Sequence, residues 1–143
     1  MNTVLIREYR FTDRNFLVQC MREMQEHVAS IDPLKRSRRV PDFNPEKWVD
    51  HIMAKIERYT GVIFVAEYKG KNVGCIAGII KQATEEDLLD LLPFKDGRII
   101  ELYVDPSYRK QNIGSLLVKR MERYFRDKGC RAVQLGCFTS NVN

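Results

Sequence analysis

No stretch of this sequence is long and apolar enough to cross a bilayer. The longest apolar runs are of the size of Val62-Ile63-Phe64-Val65-Ala66, and a spanning helix needs about twenty such residues. The opening MNTVLIREYR has no apolar h-region, so no secretory signal is expected. Cysteines are few. Cys20, Cys75, Cys130 and Cys137 form no CxxC pair and have no histidine at metal-ligand spacing. That pattern argues against a zinc or disulfide framework and predicts free thiols in a reducing cytoplasm, with no metal. Strong charge of one sign is missing too. Lys and Arg number 24 against 19 Asp and Glu, a net charge of +5. One short basic cluster, Lys35, Arg36, Arg38 and Arg39, stands out, and it lacks interleaved aromatics. A nucleic-acid-binding domain therefore ranks last among the readings.

What is present suits one hydrophobic core. The chain has 143 residues, 44% hydrophobic and 30% charged, which excludes a disordered polar chain. No internal repeat is visible.

Val4–Tyr9 reads as a first strand. Thr12-Asp13 offers a cap, and Phe16, Leu17, Cys20, Met21, Met24 and Val28 recur at helical spacing, predicting a helix over 13–29. Residues 32–43 read as a loop. Asn44 and Pro45 open a second helix with Trp48, Val49, Ile52, Met53 and Ile56 as its stripe. Val62–Tyr68 and Val73–Ile80, joined by Lys69-Gly70-Lys71-Asn72, predict a hairpin. Residues 83–92 predict a short helix broken by Pro93 and Asp96-Gly97. Arg98–Val104 is a strand, Ile113 to about Lys128 a helix stopped by Gly129, and Arg131–Phe138 the last strand. The order is β-α-α-β-β-(α)-β-α-β, an α/β or α+β class with a mixed sheet.

The segment Leu102 to Leu117 carries the chemistry. A strand runs through Asp105-Pro106-Ser107-Tyr108 into Arg109-Lys110-Gln111-Asn112, and a helix follows with Gly114 and Ser115 in its first turn. The first N–H groups of a helix lack intrahelical partners and carry partial positive charge. Small residues there let an anion approach, as a pyrophosphate seat requires. A packing glycine is the competing explanation. The loop lacks the Gly-Lys-Ser/Thr ending of a P-loop and the GxGxxG dinucleotide fingerprint.

Ile100 to Arg109 with Gly114-Ser115-Leu116-Leu117 resembles the acetyl-CoA signature of the GNAT N-acetyltransferases, Arg/Gln-x-x-Gly-x-Gly/Ala. Arg109 stands at its first position and Gly114 at its last. Asn112 replaces the middle glycine, and asparagine tolerates left-handed backbone best after glycine. The resemblance runs in order along the chain, and Phe138-Thr139-Ser140-Asn141 adds to it. It implies a single acetyl-CoA-binding acyltransferase domain over 1–143, with a mixed, mostly antiparallel GNAT-like sheet flanked by helices. The implied activity is transfer of an acetyl group from acetyl-CoA to a primary amine, of a small molecule or a protein, by direct attack in a ternary complex.

Residue by residue, the resemblance implies that Leu102, Tyr103 and Val104 offer main-chain groups to the pantetheine arm. Arg109, Lys110, Gln111, Asn112, Ile113, Gly114 and Ser115 would wrap the pyrophosphate, and Asn141 would contact the cofactor. Glu101 is the candidate base for the incoming amine, with a salt bridge elsewhere as its alternative. Tyr103 is an amine-site wall or a core aromatic. The acidic run Glu85-Glu86-Asp87 with Asp90 either attracts a cationic amine or is a solvated helix face. His27 and His51 read as surface or packing residues.

The family's C-terminal helix and strands, with the tyrosine that protonates the departing thiolate, have no counterpart up to Asn143. Three explanations stay open: a shortened family member, completion by a partner subunit in a homodimer, or a non-catalytic acetyl-CoA-binding or protein-interaction module.

Overall fold

The computed structural model describes residues 3–135. Five strands form one sheet in chain order: β1 Leu5–Glu8, β2 Val62–Tyr68, β3 Lys71–Gln82, β4 Lys95–Val104 and β5 Ala132–Leu135. Neighbours are antiparallel except β4 and β5, which run parallel. The helices are α1 Arg14–Ile31, α2 Pro45–Arg58 and α3 Ile113–Asp127. The mixed, mostly antiparallel sheet flanked by helices agrees with the expected class. No helix among the described residues is long and apolar enough to cross a membrane.

The sheet separates two apolar layers. Leu17, Cys20 and Met21 of α1 and Val49 and Ile52 of α2 pack on Ile63, Cys75, Ala77 and Tyr103. On the other face, Ile113, Leu117, Met121 and Phe125 of α3 lie on Phe64, Ile76, Ile80 and Ile99. The four α3 residues are spaced i, i+4, i+8, i+12, so one stripe is buried. Phe125 sits in a hollow left by two glycines. A Cβ on Gly97 would lie 2.3 Å from its ring, and one on Gly78 would lie 2.7 Å from it.

Local chemistry sets the element ends. The Asn44 side chain accepts from the Lys47 N–H at 3.1 Å, and Pro45 follows in the first turn. Tyr68 pairs with Lys71, and the two residues between, Lys69 and Gly70, have φ of +53° and +76°. Positive φ at both central positions is what a tight hairpin turn requires.

The expected helix over 83–92 is absent; a single 3-10 turn, Asp87–Leu89, replaces it. The β3–β4 ladder reaches Gln82 and Lys95, and the Ala83 N–H donates to the Phe94 carbonyl. Residues 84–93 are thereby drawn into a hairpin loop. Within it Thr84 and Asp87 cap each other, side chain to backbone in both directions. Leu89 and Leu92 stay 86% exposed, so no core contact rewards a helix. For the same reason β4 begins at Lys95, and Gly97 lies inside the strand beneath Phe125 instead of breaking it.

A partly buried ion network ties the start of the chain to the sheet. The Arg7 guanidinium donates to both carboxylate oxygens of Asp13, at 2.8 and 2.9 Å, and to Glu67 at 2.7 Å. Asp13 also accepts from the Arg10 N–H and the Asn72 amide. These bonds hold its carboxyl down at about 2.

Candidate active site

Strict alternation along β4 would place Ile100 and Glu101 on opposite faces of the sheet. The pairing with β3 breaks that alternation. Ala77 faces Glu101 while Gly78 faces Ile99, so Ile100 is the extra residue of a β-bulge. Ile99 therefore points to α3, and Ile100, Glu101 and Tyr103 share the face covered by α1 and α2. The bulge aims Glu101 into a cleft beside α2.

That cleft has a volume of about 240 Å³. Its wall is one stripe of α2 and the residue after it: Trp48, His51, Ile52, Lys55 and Tyr59. Its floor is Ile79 and Lys81 of β3 with Arg98, Ile100 and Glu101 of β4. The indole N–H of Trp48 donates to Oε1 of Glu101 at 3.3 Å. No buried side-chain oxygen or nitrogen among the described residues lacks a partner. Oε2 of Glu101, which accepts no hydrogen bond among the described residues, is therefore reached from the cleft. Burial pushes the Glu101 carboxyl up to about 7, against the opposing effects of the Trp48 bond and the Lys55 charge. A carboxyl poised near neutrality in a cleft has the property a general base needs.

The other half of the site begins on the same strand. Pairing of β4 with β5 stops at Ile99 and Leu135 among the described residues. The Asp105 N–H donates to the Val73 carbonyl at 2.8 Å. Hydrogen-bonded and non-bonded pairs alternate in an antiparallel ladder. The main chains of Leu102 and Val104 thus turn away from β3, to a side where no described residue pairs with them, and that of Tyr103 turns toward β3. Of the three residues expected along the pantetheine arm, Leu102 and Val104 have main-chain groups on that side and Tyr103 has its own on the β3 side. Its side chain is buried and its hydroxyl donates to Glu23 of α1, so it is a core aromatic.

Beyond Val104 the chain turns sharply. Asp105 Oδ1 accepts from the Ser107 N–H at 2.8 Å, and Tyr108 packs edge-on to Tyr68 at 5.8 Å. Lys110 and Asn112 both take positive φ, +72° and +61°. Asn112, standing where a glycine is expected, adopts the left-handed conformation that its side chain tolerates. It makes no side-chain cap, so the first N–H groups of α3 face outward without intrahelical partners. A Cβ on Gly114 would meet only Val104 Cγ2, at 3.7 Å. Among the described residues the approach to the helix start is open, which leaves room for a pyrophosphate. Ile113 is buried and anchors the turn, whereas Lys110, Gln111 and Ser115 are exposed. Arg109 donates through Nε to the Val104 carbonyl at 3.0 Å. It thus occupies an acceptor that the pantetheine arm would use. Asn141 lies outside the described residues, as do Cys137 and the expected end of the last strand.

The acidic run is not part of the cleft. Glu85, Glu86, Asp87 and Asp90 sit in the β3–β4 hairpin loop, and none lines the cavity. Two members of the basic cluster are paired with acids, Arg36 with Asp32 at 3.9 Å and Arg39 with Glu26 at 2.7 Å. Trp48, read from the sequence as part of an apolar stripe, and His51, read as a surface or packing residue, both line the cleft, and Lys55, Lys81 and Arg98 were not proposed as site residues. The signal that could have found three of them is the i, i+3, i+7 spacing of Trp48, His51 and Lys55, which puts them on one helix edge.

Comparison with known proteins fits this geometry. The model of the acetyltransferase (GNAT) family matches residues 22–143. No curated protein sequence matches the chain. Among solved structures, a GCN5-related N-acetyltransferase from Ralstonia eutropha superposes with a TM-score of 0.71 at 22% identity, covering 96% of this chain and 86% of that one. An acetyltransferase from Vibrio fischeri gives 0.68 at 20% identity, over 92% and 95% of the two chains. A predicted acetyltransferase with acetyl-CoA from Clostridium acetobutylicum gives 0.66 at 16% identity, over 96% and 83%. The likeness to these structures is one of fold.

Proposed function

The chain belongs to the acetyltransferase (GNAT) family, and on that premise we propose that it transfers an acetyl group from acetyl-CoA to a primary amine by direct attack in a ternary complex. The observation that carries this is Glu101. The β4 bulge turns its carboxyl, raised to about 7, into a cleft beside α2, on the strand that continues into Leu102 and Val104.

Leu102 and Val104 present main-chain groups to a pantetheine arm on the side of β4 away from β3. The N–H groups of Ile113, Gly114 and Ser115, with the loop from Arg109 to Asn112, receive the pyrophosphate at the start of α3. Arg109 leaves the Val104 carbonyl when the arm takes its place. Bound there, acetyl-CoA would supply a thioester open to attack by a neutral amine, the new C–N bond replacing the C–S bond, with the nitrogen's second proton passing to the CoA thiolate as it leaves. Glu101 accepts the proton of the incoming ammonium at Oε2, directly or through water, while the Trp48 N–H holds Oε1. Burial of Glu101 keeps its carboxylate basic enough to do so at neutral pH.

Calorimetric titration of acetyl-CoA into the protein, with CoA release followed over a panel of amines, tests the reading. Saturable binding with amine-dependent release is expected. Binding without release from any amine would replace the enzyme with a cofactor-binding module, and no binding would overturn the proposal.

A further inference from the structure

The charge of the cleft speaks to what accompanies the amine. Among the described residues Glu101 is its sole acidic lining residue, and three basic side chains, Lys55, Lys81 and Arg98, line it as well. They come from three different elements, α2, β3 and β4, and converge on one space. None of the ion pairs among the described residues takes any of the three. Other cations near acids in this protein do pair: Arg7, Arg14, Arg39 and Arg131 all hold a carboxylate within 3.0 Å.

Their order along the groove is set by the fold. Glu101 and Trp48 meet at one end. Lys55 lies two helical turns along α2 from Trp48, about 10 Å at the α-helical rise. Arg98 precedes Glu101 on the same face of β4, and Lys81 stands one same-face step beyond Ile79, the β3 residue paired with Arg98. Cations thus gather on the side of the groove away from the Trp48–Glu101 contact. A purely cationic acceptor, such as a polyamine, would meet like charge there. The volume, about 240 Å³, suits a small molecule.

We propose that the acceptor is a small amine that also carries an anionic group, a phosphate or a carboxylate, seated by Lys55, Lys81 and Arg98 while its amine faces Glu101. This inference rests on the acetyltransferase reading above and names the acceptor class for that same cleft. Positive charge at the far end would orient the substrate so that only its amine reaches the base. It would also exclude plain alkylamines and polyamines by leaving three cations uncompensated.

Trp48 is the one tryptophan of the chain and lines the cleft, so its fluorescence reports occupancy without any turnover. The test titrates two matched pairs: phosphoethanolamine against ethanolamine, and 4-aminobutyrate against butylamine. Saturable change in Trp48 emission is expected with at least one anionic member, at tenfold or more lower concentration than with its uncharged-tail partner. Whichever pair discriminates identifies phosphate or carboxylate. The Lys81→Met and Arg98→Met variants should each weaken that binding about tenfold, and added salt should weaken it in the wild type. Equal response within both pairs, no response to any of the four, or unchanged binding in both variants would overturn the proposal. Acetyl-CoA calorimetry on the same samples separates the two failures. Absent acetyl-CoA binding removes the family-based function, whereas normal acetyl-CoA binding without anion preference removes only the acceptor class.

Discussion

The Trp48 indole and the Glu101 carboxyl, 53 residues apart in sequence, meet at 3.3 Å across the cleft between α2 and β4. The contact has two consequences of opposite sign. It fixes one carboxylate oxygen, and it opposes the rise in carboxyl pKa that burial imposes.

Glu101→Gln should lower kcat about 10²–10⁴-fold, the usual worth of a positioned base. Acetyl-CoA affinity should stay the same by calorimetry, because the strand edge and α3 start are untouched. The same change should stabilise the fold. A carboxyl raised from 4.5 to about 7 binds its proton more tightly folded than unfolded. It therefore loses stability as pH climbs from about 4.5 to about 7, and the deficit persists above that. At pH 8 the glutamine variant should be more stable by about 1–3 kcal/mol, read as a higher Tm.

The kcat profile of the wild type should rise with pH through about 7 as Glu101 ionises. Trp48→Phe removes a hydrogen bond that favours the carboxylate. Its rising limb should move to higher pH, checked by stopped assays of CoA release across pH 5.5–9. An acidward move would contradict the assigned contact.

Asn112 holds φ at +61° at the head of α3. Asn112→Gly should keep acetyl-CoA affinity within a few fold. Asn112→Val puts a β-branched residue into left-handed backbone, a strain of about 1–3 kcal/mol. It should weaken acetyl-CoA binding roughly tenfold or more by calorimetry, with little change in far-UV circular dichroism.

Gly97→Ala forces a methyl against the Phe125 ring, with the added Cβ at 2.3 Å. Overpacking of this kind costs about 1–3 kcal/mol. Denaturant unfolding should show a lower midpoint at an unchanged slope. Adding Phe125→Leu should recover part of that loss, since the two residues share one hollow.

Asp13 supplies an acid-sensitive anchor. Its folded pKa of about 2 lies below the unfolded value of 3.8. Its contribution is complete above about pH 4 and is lost as pH falls through about 2, amounting to about 2 kcal/mol. Asp13→Asn should remove that component of the acid unfolding slope. At pH 7 it should cost about 3 kcal/mol, because Arg7 loses a buried partner.

Much of this was legible in the chain itself. Element order, the Asn44–Pro45 helix start, the Lys69–Gly70 turn, the left-handed tolerance of Asn112 and the apolar stripe of α3 all act within a few residues. Backbone sterics, capping and periodicity suffice for them. The β4 bulge at Ile100, which decides that Glu101 faces the cleft, depends on register with β3, some twenty residues away. The same pairing divides Leu102 and Val104 from Tyr103, and it drew 84–93 into a loop where leucine spacing suggested a helix. Gathering Lys55, Lys81 and Arg98 around Glu101 needs three elements packed together, and no local pattern carries that information. Charge and hydrogen-bond energies between residues so distant in sequence become defined only when the tertiary structure sets their separation and removes water from between them.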